Sequence, residues 1–281
     1  MEKIDNFIAD GEYGKRGYLK ENYRVFNIKD SRGGDFDFHY HEFDKLVLFI
    51  AGNVTYIVEG REYVLKAGDI LLVRHGDIHK PIIDANAEYE RIVIWINDSF
   101  LKANHSLNGC FDTAAQRGSR LLRLPAEKHG RIFGIAREFI GDGESEFANG
   151  LMRDTLLFQL LILINRAVRS GNEAADFVSD SRIDSVIEYI NSNLLSDLSV
   201  EKIAGEFFIS RYYLMHRFKE LTGKTVLSYI QSKRLLRAAA LLESGCSAKE
   251  ACYKSGYRDY SVFLKAFKKE FDTTPTEYKK L

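Results

Sequence analysis

The chain has 281 residues, and its 40 Lys plus Arg are balanced by 40 Asp plus Glu. At 45% apolar and 28% charged, with only three Pro, the composition excludes disordered and low-complexity classes. Cys110, Cys246 and Cys252 are widely spaced and lack CxxC geometry, which excludes a disulfide scaffold and a zinc framework.

The length suggests about two domains, each large enough for its own core. The opening segment MEKIDNFIADGEYGKR has no basic flank followed by an apolar run, so no secretory signal is expected. The longest apolar stretch, residues 156–164, contains Gln159 and falls short of the ~20 residues a spanning helix needs. A cytoplasmic setting is the expectation. The neutral total hides an asymmetry. Residues 1–180 carry 23 basic and 28 acidic side chains, whereas residues 181–281 carry 17 and 12. A basic C-terminal part points to nucleic acid, with the acidic part kept away from phosphates.

From about residue 24 to 96 the chain reads as short strands. Residues 54–60 and 61–69 form a hairpin turning at Gly60, ILLV (70–73) follows a Gly68-Asp69 turn, and RIVIWI (91–96) is a β-branched run. This spacing predicts a sandwich or barrel over residues 1–125. Residues 127–140 then predict a helix, stopped by the turn-rich GDGE, and residues 149–169 a longer one that is very apolar around LLFQLLILI. Residues 126–170 are therefore expected to bury apolar surface either on the barrel or in a homodimer interface, the second being favoured. Residues 171–181 are small, polar and slightly acidic, a linker by composition. Everything from 182 to 281 reads as helix.

That last segment contains a repeat. Residues 199–223 (SVEKIAGEFFISRYYLMHRFKELTG) have a counterpart in residues 247–272 (SAKEACYKSGYRDYSVFLKAFKKEFD). Each starts at a Ser able to cap a helix, and Ser247 with Glu250 fits a capping box. Each places a small residue, Ala204 or Cys252, mid-helix, then a short break, then a second helix ending in Phe218-Lys219 or Phe267-Lys268. Two short helices that meet at a small residue describe a helix-turn-helix. Leu214, Phe218 and Leu221 form the buried stripe of the first copy, and Phe263, Phe267 and Phe271 that of the second. The opposite faces supply candidate base-facing residues Tyr212, Met215, His216, Tyr260, Ser261 and Lys265. Arg211, Lys219 and Lys268 flank them and suit phosphates. Residues 226–242 form a connecting helix of about 25 Å, matched to successive major grooves about 34–36 Å apart.

At these residues the chain resembles the AraC/XylS family of bacterial transcription regulators. IAGEFFISRYYLMHRFKELTG, KRLLRAAALL and GYRDYSVFLKAFKKEFDTTPTEYKK carry the resemblance over about the last 100 residues. Cys252 stands where the family usually has Ala, and Ala251 where it prefers a larger aliphatic. Residues 36–81 resemble the cupin-type sensor domain of many members. The resemblance implies a multidomain α and β chain: a cupin-like β-barrel plus a helical pair, then an all-α domain with two helix-turn-helix units. It also implies double-stranded promoter DNA and a small-molecule effector as partners, with RNA polymerase as a third for an activator.

His39 and His41, two apart on a strand, project to one face, and His79 falls where the second cupin motif has its His. Three imidazoles can hold zinc, iron or manganese. Lys45, however, stands in the region where metal-binding cupins carry Glu, and Glu42 and Asp44 have the opposite parity. His39, His41, Lys45 and His79 are therefore expected to bind a small polar effector, which the resemblance implies is a sugar or related metabolite, without metal or other cofactor. Trp95 is expected in the core. No Ser-His-Asp pattern, Gly-rich phosphate loop or placed carboxylate pair points to an enzyme. The alternative reading is a metal-dependent cupin enzyme with an accessory helical domain.

Overall fold

The computed structural model describes residues 16–17, 19, 21–30, 34–84, 86–104, 107, 109–141, 149–171 and 177–279. The chain divides at Val178 into an N-terminal and a C-terminal unit. Most of GDGE and residues 172–176 of the linker lie outside the described residues.

The N-terminal unit opens with β1 (Arg16–Gly17), β2 (Tyr23–Asp30), β3 (Gly34–Asp35) and β4 (Tyr40–His41). The expected hairpin follows, after β5 (Phe43–Ala51), as β6 (Val54–Val58) and β7 (Arg61–Val64). Val58 pairs with Arg61, and the turn residues Glu59 and Gly60 both have positive φ, 49° and 81°. A two-residue hairpin needs that geometry to match strand twist, which is why glycine sits there. Next come β8 (Ile70–Val73), β9 (His79–Ile83), β10 (Tyr89–Asn97) and, after two helices, β11 (Leu121–Leu122). One sheet has the order β11-β8-β5-β10-β2, the facing sheet β3-β9-β6-β7, and β1 pairs with β4.

Alternation along β5 and β10 assigns two faces. Val47, Phe49 and Tyr89 join Tyr56, Val58 and Tyr63 in the core between the sheets. Leu46, Leu48, Ile92, Ile94 and Ile96 face the other way, into the helices. Those helices are α1 (Asp98–Ala103), α2 (Gly109–Gln116), α3 (Ala126–Gly141) and α4 (Asn149–Ser170). The first two lie beyond the expected strands of residues 24–96 but inside the 1–125 barrel region, where no helix was expected. Phe133, Ala136 and Phe139 of α3 and Leu157, Leu160, Leu161 and Ile164 of α4 are buried in this same core. The apolar surface assigned above mainly to a partner chain therefore covers, in large part, the outer face of the barrel's own sheet. That face is apolar and needs a second layer. Leu151, Met152 and Ile162 of α4 stay exposed.

Two Gly-Asp turns tie β11 to the barrel. Asp69 accepts from the Lys66 amide at 2.7 Å and from Arg123 at 2.7 and 2.9 Å. Asp77 accepts from the Arg74 amide at 3.1 Å and from Arg120 at 2.8 and 3.1 Å. Both carboxylates are buried and receive a guanidinium fork, the geometry that best offsets their desolvation.

In the C-terminal unit, Asp180 caps α5 (Ser181–Ser192). The first repeat is α6 (Val200–Glu206) and α7 (Arg211–Thr222), capped by Ser199 and Ser210. After the connecting helix α8 (Val226–Glu243), the second repeat is α9 (Ala248–Lys254), with the expected Ser247–Glu250 capping box, and α10 (Tyr260–Phe271). A short α11 (Pro275–Tyr278) closes the chain. Ala204 and Cys252 are buried in their units as expected. The two turns share one hydrogen-bond pattern. Phe208 and Ile209 donate to the carbonyls of Gly205 and Ala204, as Gly256 and Tyr257 do to those of Tyr253 and Cys252. The equivalent turn positions differ: Gly256 has φ 99°, whereas Phe208 holds φ 51° with its side chain 97% exposed.

Candidate functional site

The barrel interior brings together His39, His41, Lys45 and His79. The imidazole centroids of His39 lie 5.0 Å from His41 and 4.4 Å from His79, and those of His41 and His79 are 5.1 Å apart. A His39–His79 bridge, with backbone hydrogen bonds of 3.0 and 2.9 Å, fixes the register that does this. Lys45 Nζ stands 2.8 Å from His79 Nε2. His79 Nδ1 lies 2.8 Å from the carbonyl of Asp77, and His39 Nδ1 lies 2.8 Å from that of Asp37. Carbonyls only accept, so both Nδ1 atoms carry the proton and both Nε2 atoms present lone pairs. His41 Nδ1 is buried without a hydrogen-bond partner among the described residues.

Electrostatics follow from this packing. Burial, then the charge of Arg91, pushes the Lys45 ammonium down to about 7. Burial, then Lys45, lowers His39 to about 4 and holds His41 and His79 well below the ordinary imidazole value. Arg91 and Tyr56 line the same interior and were not singled out from the sequence. Arg91 has the same parity on β10 as Trp95, which pairs with Lys45, and Lys45 sits 5.9 Å from the Tyr56 ring. Trp95 packs on Phe43 and Phe26 at 4.7 and 4.6 Å but is half-buried rather than part of the core expected for it.

One ring nitrogen from each of His39, His41 and His79 falls within a 4.8 Å cluster, a donor set that metals use. A lysine stands beside this set and would compete with a divalent ion for one of its nitrogens. Lys45 Nζ already takes the His79 lone pair, and the cluster contains no carboxylate. Asp44 points the other way and bonds His75 at 3.1 Å, with Asp98 at 3.8 Å. Burial opposes charge on His75, but the hydrogen bond and charge of Asp44, with Asp98, raise its pKa overall.

The second group of candidates lies on α7 and α10. Arg211, Tyr212, Met215, His216 and Lys219 are all exposed, opposite buried Leu214, Phe218 and Leu221. Tyr212 and His216 stack at 5.9 Å, and Arg211 pairs with Glu201 at 2.9 Å. On α10, Ser261, Lys265 and Lys268 are exposed opposite Phe263, Phe267 and Phe271. Tyr260 departs from expectation: it is half-buried and packs with Leu264 against the core of the second repeat. Exposed Val262 takes a place on the outward face that sequence reasoning did not assign.

Residues 27–161 match the family described as "AraC-like ligand binding domain", and residues 203–281 match "Helix-turn-helix domain". The chain is similar to "HTH-type transcriptional activator RhaS" of Escherichia coli O127:H6, 23% identical over 267 residues that cover 86% of this chain and 87% of the relative. The RhaS of Escherichia coli O9:H4 is 24% identical over 247 residues, with the same coverage. Among solved structures, that of ToxT from Vibrio cholerae aligns at 17% identity and a TM-score of 0.37, covering 92% of this chain and 98% of ToxT. No helix among the described residues is long and apolar enough to cross a membrane. With an AraC-like ligand-binding domain ahead of two helix-turn-helix units, the chain belongs to the AraC family of DNA-binding transcription regulators.

Proposed function

We propose that the barrel senses a small polar effector through His39, His41, Lys45 and His79, and that α7 and α10 read promoter DNA. The observation that carries the second part is the shared design of α7 and α10. In each, one face is buried in its repeat and the other offers exposed polar and basic side chains. Tyr212, Met215, His216, Ser261 and Lys265 face bases, with half-buried Tyr260 at the N-terminal edge of α10. Arg211, Lys219 and Lys268 grip phosphates. The barrel acts as a sensor and not as a catalyst. A homodimer through exposed residues of α4, and RNA polymerase for activation, complete the set of partners. Effector binding shifts the regulator by preferring one arrangement over another.

Duplex binding measured at two salt concentrations tests the reading. Specific affinity for a neighbouring promoter should fall steeply with salt as phosphate counterions are released. Salt-indifferent or absent binding would remove the DNA-reading role.

A further inference from the structure

The interior cluster has a donor and acceptor pattern specific enough to name a ligand class. Lys45 keeps one N–H for His79 Nε2 and has two more to give. No carboxylate among the described residues answers it, and the second cation of the interior, Arg91, stands close enough to disfavour its charge. Burial and Arg91 therefore favour the neutral amine over an uncompensated ammonium, and an anion seated beside Nζ is the complement that would restore the charge. The acceptor side is equally defined. His39 Nε2 carries a lone pair, because Nδ1 donates to the Asp37 carbonyl, and its ring lies 4.4 Å from that of His79. A lone pair beside the anion site calls for a hydroxyl donor, and it repels a second negative charge. That argues for a monoanion over a phosphate.

Resting on the reading of this cluster as the effector site, we infer that the effector is a small hydroxy acid. Its carboxylate is taken by Lys45, and a hydroxyl is donated to His39 Nε2. Tyr56 lies 5.9 Å from Lys45, and Phe43 packs on His41 and Trp95, so aromatic side chains surround the cluster and would meet a short carbon chain.

The test uses the full-length protein and matched probes. Thermal unfolding and calorimetry are run with lactate, gluconate, propionate, 1,2-propanediol, sorbitol, inorganic phosphate and zinc ion. Ligand binding to the folded state raises the midpoint. Lactate or gluconate should raise it, while propanediol, sorbitol and phosphate should not. Propionate, which lacks the hydroxyl, should bind about tenfold more weakly than lactate, or ~1.4 kcal/mol. Lys45→Met, similar in length and apolar, should abolish the response without loss of fold, and His39→Ala should bring lactate down to the level of propionate. The inference is overturned by an equal response to sorbitol and gluconate, by an acid response surviving in Lys45→Met, by stabilisation with zinc alone, or by silence from both hydroxy acids. These outcomes separate the two readings. A neutral compound whose binding vanishes in His79→Ala would end the hydroxy-acid class while keeping the sensor pocket. A metabolite response untouched by His79→Ala would remove the pocket itself.

Discussion

Val178 and Glu62 exchange two backbone hydrogen bonds, each 2.9 Å, so the last residue of the N-terminal unit is paired to the edge strand β7. The residue before it, Phe177, lies between the Tyr63 ring at 5.7 Å and the Arg61 guanidinium at 5.3 Å. Tyr63 and Arg61 both donate to the carbonyl of Gly118, and Tyr63 also accepts from the Arg120 amide at 3.2 Å. Arg120 grips Asp77, whose carbonyl receives His79. Hydrogen bonds and ring contacts thus run without a gap from Lys45 to the end of the N-terminal unit. Phe177→Ala should free this end, raising the exchange rate of the Val178 amide about tenfold or more as local opening becomes easier. An unchanged rate would mean that the ring contacts do not hold the segment.

Phe208 and Gly256 make the same turn, but only one suits it. A non-glycine residue at positive φ carries about 1–2 kcal/mol of strain. Phe208→Gly relieves that strain, less the roughly 0.5–1 kcal/mol of extra chain entropy glycine brings, and should raise stability slightly. Gly256→Ala would put a methyl 2.3 Å from the Leu194 carbonyl and should cost about 2 kcal/mol or more. Chemical denaturation of the two variants reads the contrast. Equal destabilisation would show that the turns are not equivalent.

Lys219→Ala and Lys268→Ala should weaken DNA binding evenly across sequences and each reduce the salt slope by about one. His216→Ala and Lys265→Ala should instead relax preference at particular base pairs, by about 1–3 kcal/mol each. A binding series over single-base variants at several salt concentrations separates the two behaviours. Sequence-dependent losses from Lys219→Ala would move that residue into the base-facing set.

The barrel should be acid-sensitive. His39, His41 and His79 are held neutral below their ordinary value of 6.5, His39 to about 4. Below 6.5 the unfolded chain takes up protons that the folded barrel refuses. Stability is therefore complete above 6.5 and falls as pH drops toward 4, by up to about 1.4 kcal/mol per pH unit for each imidazole. Lys45, lowered to about 7, adds a gain in stability as pH rises from 7 toward 10.5. His75 runs the other way, because its raised pKa stabilises the charged form at low pH and loses that contribution as pH rises through it. Trp95 is the sole tryptophan, so its fluorescence follows the barrel alone during urea unfolding. His41→Phe should flatten the acid limb, and an unaltered slope would exclude His41 from it.

The parts legible in the sequence are those where one periodicity decides the matter. His39 and His41 share a face because they are two apart, and Phe218 and Phe267 are core because each continues a three-four spacing. α1 and α2 escaped because six and eight residues are too few to show a helical period against strand-like surroundings. The cover for α3 and α4 was misjudged for a different reason. Amphipathy shows that a face must be buried but not which surface meets it, and here the outer side of β5 and β10 does. Tyr260 and exposed Arg211 each stand three residues before the first buried side chain of their stripe, Phe263 or Leu214, so helical position alone does not tell them apart; what draws Tyr260 inward is its ring, which packs on Phe263 at 6.1 Å. Arg91 was passed over because a charge in a β-branched run gives no sign of what lies across the barrel.

α8 belongs to both repeats at once. Tyr229 stacks edge-on with Phe218 at 5.3 Å and meets Asn191 of α5 at 3.2 Å, while Leu235, Ala238 and Leu242 lie in the core of the second repeat. Arg237 donates to the Lys254 carbonyl at 2.9 Å and Glu243 accepts from Tyr278 at 3.2 Å. With α7 and α10 as the proposed reading heads, one built onto each end, the helix would work as a ruler, and the operator would have to be written to its gauge. Five base pairs inserted between the two subsites, about half a turn of the duplex, would carry the second subsite to the far side of the DNA. No side-chain adjustment within the heads would reach it.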